Sequence, residues 1–171
     1  MDEPLTTRFA TEKDQAAIIE LIDSVYREYG DQICLTGADQ DLLNLKTAYF
    51  DQGGAFWVME DADHQIVGTH AAKPVTGTDR EGCSDTHVCT FRRLYLKSQL
   101  RGTQRGAELM ELTFTWARQN QYKKVQFWSD SRFTRAHQFF RKLGFQKSDK
   151  IRQMNDGISP YQEFFFSIDL K

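Results

Sequence analysis

The feature that most constrains this chain is a short glycine-bearing turn, Arg101-Gly102-Thr103-Gln104-Arg105-Gly106-Ala107, set between two runs of different period. Before it, Val88 to Leu96 is apolar-rich and reads as a strand. After it, Ala107, Met110, Phe114 and Ala117 recur on one helical face, with Glu111 and Arg118 on another. A turn that feeds a strand straight into a helix presents unpaired backbone N–H groups at the positive end of the helix dipole. That arrangement suits an anion, phosphate best of all. Arg101 and Arg105 are expected to add positive charge beside it. The plainer reading is an ordinary strand-to-helix turn whose arginines are solvated.

The residues beyond the helix separate these readings. Lys123 to Trp128 reads as a second strand, and Ser131 to Leu143 as a second helix closing in Phe140-Arg141-Lys142-Leu143-Gly144-Phe145. With the turn Arg101-Gly102-Thr103-Gln104-Arg105-Gly106 before it, this order resembles the GNAT superfamily of acyl-CoA N-acyltransferases. That family carries an Arg/Gln-x-x-Gly-x-Gly/Ala turn and an aromatic-x-Lys-Leu-Gly-Phe helix end. The resemblance implies a single domain over residues 1–171 with an α/β fold of the α+β type. Its sheet would be mixed, mostly antiparallel, of about seven strands flanked by about four helices. It also implies acetyl-CoA as co-substrate, with pantetheine paired to Leu94-Tyr95-Leu96 and pyrophosphate on the N–H groups of Arg101, Gly102, Thr103, Gln104, Arg105, Gly106 and Ala107.

Composition bounds the rest. With 171 residues and 40% apolar content, the chain is long enough to bury a substantial core. No apolar run approaches the roughly 20 residues needed to cross a bilayer, and the start, Met1-Asp2-Glu3-Pro4, is acidic rather than signal-like. Cys34, Cys83 and Cys89 are odd in number and lack Cys-x-x-Cys spacing. They read as reduced thiols of a cytoplasmic protein, with no metal site expected. Charge is unevenly spread. Arg92 to Lys142 holds 12 Lys/Arg against 3 Asp/Glu, leaving 10 basic and 21 acidic residues elsewhere. A basic region of this kind faces an anion. No nucleic-acid motif accompanies it, so nucleic acid is not expected as a partner and CoA fits its position best.

In chain order, Leu5 to Ala10 reads as a first strand, and Thr11 with Asp14 as a capping box. A helix with Ile18, Ile22, Val25 and Tyr29 on one face comes next, stopped by Gly30. A second helical segment is expected from about Asp39 to Phe50, with Leu42, Leu45 and Tyr49 at core spacing. Ala55 to Glu60 and Gln65 to Pro74 form a hairpin, and Gly77 to Asp85 a loop. Alternation along the central strand puts His87, Cys89, Phe91, Arg93 and Tyr95 on one face. Gln146 to Arg152 and Tyr161 to Asp169 complete the strands around an Asn155-Asp156-Gly157 turn.

The implied chemistry is direct attack of an acceptor amine on the thioester, with a backbone N–H near Leu94 to Leu96 facing the oxyanion. Phe140 stands where the family commonly has a Tyr that protonates the leaving thiolate. Phe133 stands where it often has an Asn that bonds pantetheine. Gln104 replaces a usual glycine; were positive φ needed there, it would cost on the order of 1 kcal/mol. A thiol leaves tolerably without an acid, since its pKa is about 8.5. His137, three residues before Phe140 and so on nearly the same face, is either a proton-transfer group or a packed side chain. Tyr161 is a second catalytic candidate or an ordinary strand aromatic. Ser129 and Asp130 bind acceptor or pantetheine, or cap the following helix. The expected partner is a small-molecule amine, with a homodimer left open and no membrane expected. A sensor or interaction module that binds acyl-CoA without turnover is the alternative.

Overall fold

The computed structural model of the protein describes residues 4–75, 86–156 and 158–171. Arg8, on strand β1 (Thr6–Phe9), reaches both Asp14 at 2.8 Å and Glu60 at 2.9 Å. The Asp14 carboxylate also accepts from the Thr11 amide at 2.7 Å, the capping contact expected there. Helix α1 (Gln15–Arg27) then buries Ile18, Leu21, Ile22 and Val25, and Gly30 comes after it at φ +73°. Tyr29 lies past the end of the helix.

The helix expected from Asp39 to Phe50 is broken. Single turns at Gln40–Leu43 and Phe50–Gln52 flank a short helix α2 (Leu45–Ala48). Asn44 causes the break: its backbone is extended and its side chain accepts from the Thr47 amide at 2.9 Å. Asn competes with helix hydrogen bonding in this way. Leu42, Leu45 and Tyr49 are nevertheless fully buried, so core spacing survived the loss of a continuous helix.

Strands β2 (Ala55–Glu60) and β3 (Ile66–Pro74) form the expected hairpin, followed by β4 (Val88–Leu96). The loop expected over Gly77 to Asp85 lies outside the described residues. Helix α3 (Arg105–Gln119), strand β5 (Lys124–Asp130), helix α4 (Thr134–Lys142) and strands β6 (Gln146–Asn155) and β7 (Pro160–Asp169) complete the chain. The sheet order is β1-β2-β3-β4-β5-β7-β6. Among the pairings of the described residues only β4–β5 is parallel, as expected for two strands joined by a helical crossover. One core lies between the sheet and α3 and α4, and a second between the sheet and α1 and α2.

Two departures in the middle of the sheet shape the site. First, β4 and β5 pair only at Val88–Lys124 and Cys89–Val125, then diverge, leaving a gap through the sheet. Second, β4 is bulged. Its register with β3 jumps from Ala71–Arg92 to Thr69–Tyr95, so His70 faces both Arg93 and Leu94. Arg93 takes φ +58°, rare for a residue with a side chain. The bulge corrects the simple alternation expected for this strand. Cys89 and Phe91 share the α3 core with Leu94, while Tyr95 turns to the α1 core.

Charge holds the bulge. Arg93 is buried, donating to Asp39 at 2.8 Å, to Asp41 at 3.0 Å through Nε, and to the Tyr26 hydroxyl at 3.1 Å. Burial pushes the Asp41 carboxyl up, but Arg93 beside it outweighs this and holds its pKa at about 2. Helix α3 also differs slightly from expectation: Gly106, Leu109, Met110, Thr113, Phe114 and Ala117 are buried, whereas Ala107 faces solvent.

Arg93→Met would leave the buried Asp39 and the part-buried Asp41 carboxylates without their cation. We expect a loss of about 3–5 kcal/mol in urea denaturation. In the unsubstituted protein, the Asp41 contribution is complete above the unfolded carboxyl pKa of about 4. It is lost as pH falls toward the folded value of about 2, so denaturation midpoints should drop across that window.

Candidate active site

The gap between β4 and β5 opens into two chambers. Leu94, Tyr95, Phe133 and Ala136 wall both and form the waist between them. Phe133 packs edge-on against Tyr29 and Tyr95, with ring centres 4.8 and 6.3 Å away. A phenyl ring cannot hydrogen-bond a ligand as an amide would, so a group passing the waist meets an apolar wall here.

The first chamber lies over the β4–α3 turn. Leu96, Arg101, Gly102, Thr103 and Gly106 wall it from one side; Arg135, Gln138 and Lys142 of α4 wall it from the other. Within the turn it is Gly102 that takes positive φ, at +81°. Gln104 sits at φ −75°, so the strain expected from a side chain there is absent. A Cβ on Gly102 would lie 2.9 Å from the Arg135 guanidinium, which places that cation directly over the turn. At Gly106 a Cβ would meet Leu96 and Phe139 at 3.5 Å, an ordinary contact, so a side chain larger than a methyl is what the space there would not hold. The first bond of the helix is donated by the Glu108 amide to the Gln104 carbonyl at 3.0 Å, so the amides of Gly106 and Ala107 precede the ladder.

The two arginines of the turn do not act as their positions in the sequence suggest. Arg101 is bound to Glu28 at 2.5 and 2.8 Å and to the Leu96 carbonyl at 3.0 Å, bracing the turn against the end of α1. Arg105 pairs with Glu108 at 3.0 Å. Gln104, Arg105 and Ala107 are not among the residues walling the chamber. The cations that do wall it from α4, Arg135 and Lys142, do not stand out in the sequence. Their signal is present only as a basic, helical run after the second strand.

The second chamber is walled by acidic, basic and aromatic groups. Asp31, Asp39, Asp130, Asp156 and Glu163 face Arg92, Arg93 and Arg152 across it, with Tyr26, Trp128 and Tyr161 between. Arg132 bridges Asp31 at 2.8 Å and Asp130 at 2.6 Å, so Asp130 is an ion-pair partner as well as the acceptor for the Arg132 amide at 2.9 Å. The Arg132 guanidinium lies 5.3 Å over the Tyr161 ring. The Tyr161 hydroxyl donates to Glu163 at 3.4 Å. Burial first, and the neighbouring carboxylates second, push this phenol up, keeping it a donor. The Trp128 indole N–H is sealed from solvent with no partner among the described residues.

Ser129 and His137 meet at the wall of this chamber. Ser129 faces the cleft, and His137 lies behind it, 7% exposed, with Nε2 3.1 Å from Ser129 Oγ. His137 is not among the residues walling either chamber. Phe140 shares its helix face, as the spacing implied, and packs on Phe127 with ring centres 4.8 Å apart.

Comparison with known proteins bears on this geometry. The sequence pattern of the acetyltransferase (GNAT) family matches residues 18–145. The N-acetyltransferase YjgM of Escherichia coli K12 is 28% identical over 144 residues, which is 83% of this chain and 82% of that protein. A GNAT-family acetyltransferase from Staphylococcus aureus Mu50 superposes with a TM-score of 0.80 at 18% identity, covering 98% of this chain and 100% of the other. An acetyltransferase from Streptococcus agalactiae 2603 gives 0.78 at 16% identity, covering 97% and 98%. The seven-stranded sheet with its splayed parallel pair is thus the acyl-CoA N-acyltransferase fold, and the chain belongs to the GNAT family of acetyltransferases.

Proposed function

We propose that the protein transfers an acetyl group from acetyl-CoA to the amine of a small-molecule acceptor by direct attack. The observation that carries this reading is a cleft with two dissimilar ends meeting at one waist. One end is basic and lies over a helix N-terminus; the other mixes carboxylates, arginines and aromatics. An extended thioester entering by the first end meets an acceptor entering by the second. In this reading the pyrophosphate lies against the turn, on the amides of Gly102 and Gly106 that wall the chamber, under Arg135 and Lys142. Pantetheine runs along Leu94, Tyr95 and Leu96.

The bulge supports the placement of the oxyanion donor. It sets both Arg93 and Leu94 opposite His70 in the strand that borders the gap, where an N–H aimed at developing charge would contribute to catalysis. Tyr161 and Asp130 would position the acceptor, Tyr161 as a hydroxyl donor that stays protonated.

The first experiment is calorimetric titration with acetyl-CoA, using a nucleoside triphosphate as control, followed by a screen of amines for release of CoA thiol. Saturable acetyl-CoA binding with thiol release that depends on amine is the expected result. Binding without release by any amine would favour the sensor reading, which draws on Phe140 and Phe133. Arg135→Ala should weaken acetyl-CoA by about tenfold to a hundredfold, the loss of one charge-assisted contact of about 1.5–3 kcal/mol. Arg105→Ala, whose partner is Glu108, should change affinity little. Gly106→Val should abolish binding, because its γ carbons would press on Leu96 and Phe139 where backbone must approach phosphate.

A further inference from the structure

Phe140 leaves the leaving sulfur without the family's usual hydroxyl, and the attacking amine must lose a proton. A pair of side chains in the wall of the cleft can serve both needs. Ser129 stands on β5 beyond Val125, the last residue paired with β4, where the gap between these two strands has opened. Its hydroxyl lies 3.1 Å from His137 Nε2. With Nδ1 carrying the ring proton, Nε2 offers a lone pair that accepts from the Ser129 hydroxyl, whose own lone pairs then remain for a group in the cleft.

We propose that Ser129 and His137 form a proton shuttle, resting on the acetyl-transfer reading above. As the amine attacks, the nitrogen–carbonyl bond forms and the amine proton passes to Ser129 Oγ. Ser129 passes its own proton to His137 Nε2, giving an imidazolium. The carbon–sulfur bond then breaks with its electron pair on sulfur. The proton returns from His137 through Ser129 to that thiolate, leaving amide, CoA thiol and an unchanged enzyme. Ser129 is the catalytic residue that touches the reactants; His137 acts through it.

The surroundings of His137 fit this use. Phe140, Phe164 and Phe166 enclose the ring, with centres 6.3, 5.7 and 4.9 Å away, and fix its orientation. Burial is the largest influence and lowers its pKa, with Arg141 on α4 and Lys147 on β6 acting in the same sense. The Asp130 carbonyl and carboxylate on β5 oppose them. The net effect leaves a neutral ring at neutral pH that accepts a proton and readily gives it back.

The test compares Ser129→Ala, Ser129→Thr and His137→Gln with the unsubstituted enzyme, reading kcat from pH 5 to 9 beside acetyl-CoA affinity by calorimetry. Ser129→Ala and His137→Gln should each lower kcat by about a hundredfold or more, within the 10²–10⁴ range of proton-transfer catalysis. Acetyl-CoA affinity should stay within about twofold of the parent value, since neither change touches the phosphate end of the cleft. The acid limb on the low side of the ordinary histidine range, where His137 protonates, should vanish in both variants. Any alkaline rise from ionisation of the acceptor should persist. Ser129→Thr keeps a hydroxyl and should restore most of kcat and the acid limb. Parent-like kcat and an intact acid limb in Ser129→Ala would overturn the shuttle. Failure of the parent enzyme to bind acetyl-CoA would instead overturn the acetyl-transfer reading beneath it.

Discussion

A buried charge cluster at one point of the sheet underlies the geometry of the cleft. Arg93 sits in a left-handed backbone conformation that its side chain would ordinarily disfavour. It is held there by Asp39, Asp41 and the Tyr26 hydroxyl, which come from α1 and the segment after it. The cost of burying three charges is offset because each finds partners at hydrogen-bond distance. The consequence is a bulge in the strand that borders the gap, and with it the change of face that sends Leu94 toward α3 and Tyr95 toward α1. The α1 side of the molecule and the reacting edge of β4 are therefore mechanically one unit.

The end of the cleft proposed to hold phosphate is shared between two parts of the chain. The turn supplies backbone, with Gly102 allowing its curvature at φ +81°. Helix α4 supplies the charge, through Arg135 and Lys142. Arg101, which by position in the sequence looks like a phosphate ligand, is consumed by Glu28 and stiffens the turn. On the proposed reading, backbone donors and separately mounted cations would together form the anion site.

The second chamber, the proposed acceptor end, has a different character. Carboxylates and arginines there are largely paired with one another, as in the Asp31–Arg132–Asp130 bridge and the Arg152–Glu163 pair. Such a wall offers directional partners more than a net field. Aromatic rings stacked under the cations, Tyr161 under Arg132 and Trp128 under Arg152, keep those partners in place. If the acceptor enters here as proposed, its selection would rest on shape and hydrogen bonding at this wall.

Much of this was legible in the residues. The two periods on either side of the turn, the capping pair Thr11 and Asp14, the hairpin around residue 62 and the shared face of His137 and Phe140 are local properties. They depend on chain geometry within a few residues, so sequence determines them, and the paired motifs carried the family and the fold. Contacts between distant segments were beyond its reach. Asn44 broke a helix that its neighbours' spacing favoured. Asp39 and Asp41 converted an alternating strand into a bulged one by binding Arg93, more than 50 residues away. Glu28 claimed Arg101 from 73 residues away, and Ser129 came within 3.1 Å of His137 only because α4 packs back on β5. Periodicity specifies which face of an element is buried. Which partner meets a given charge or hydroxyl is settled only when separate elements close on one another, because that choice belongs to packing.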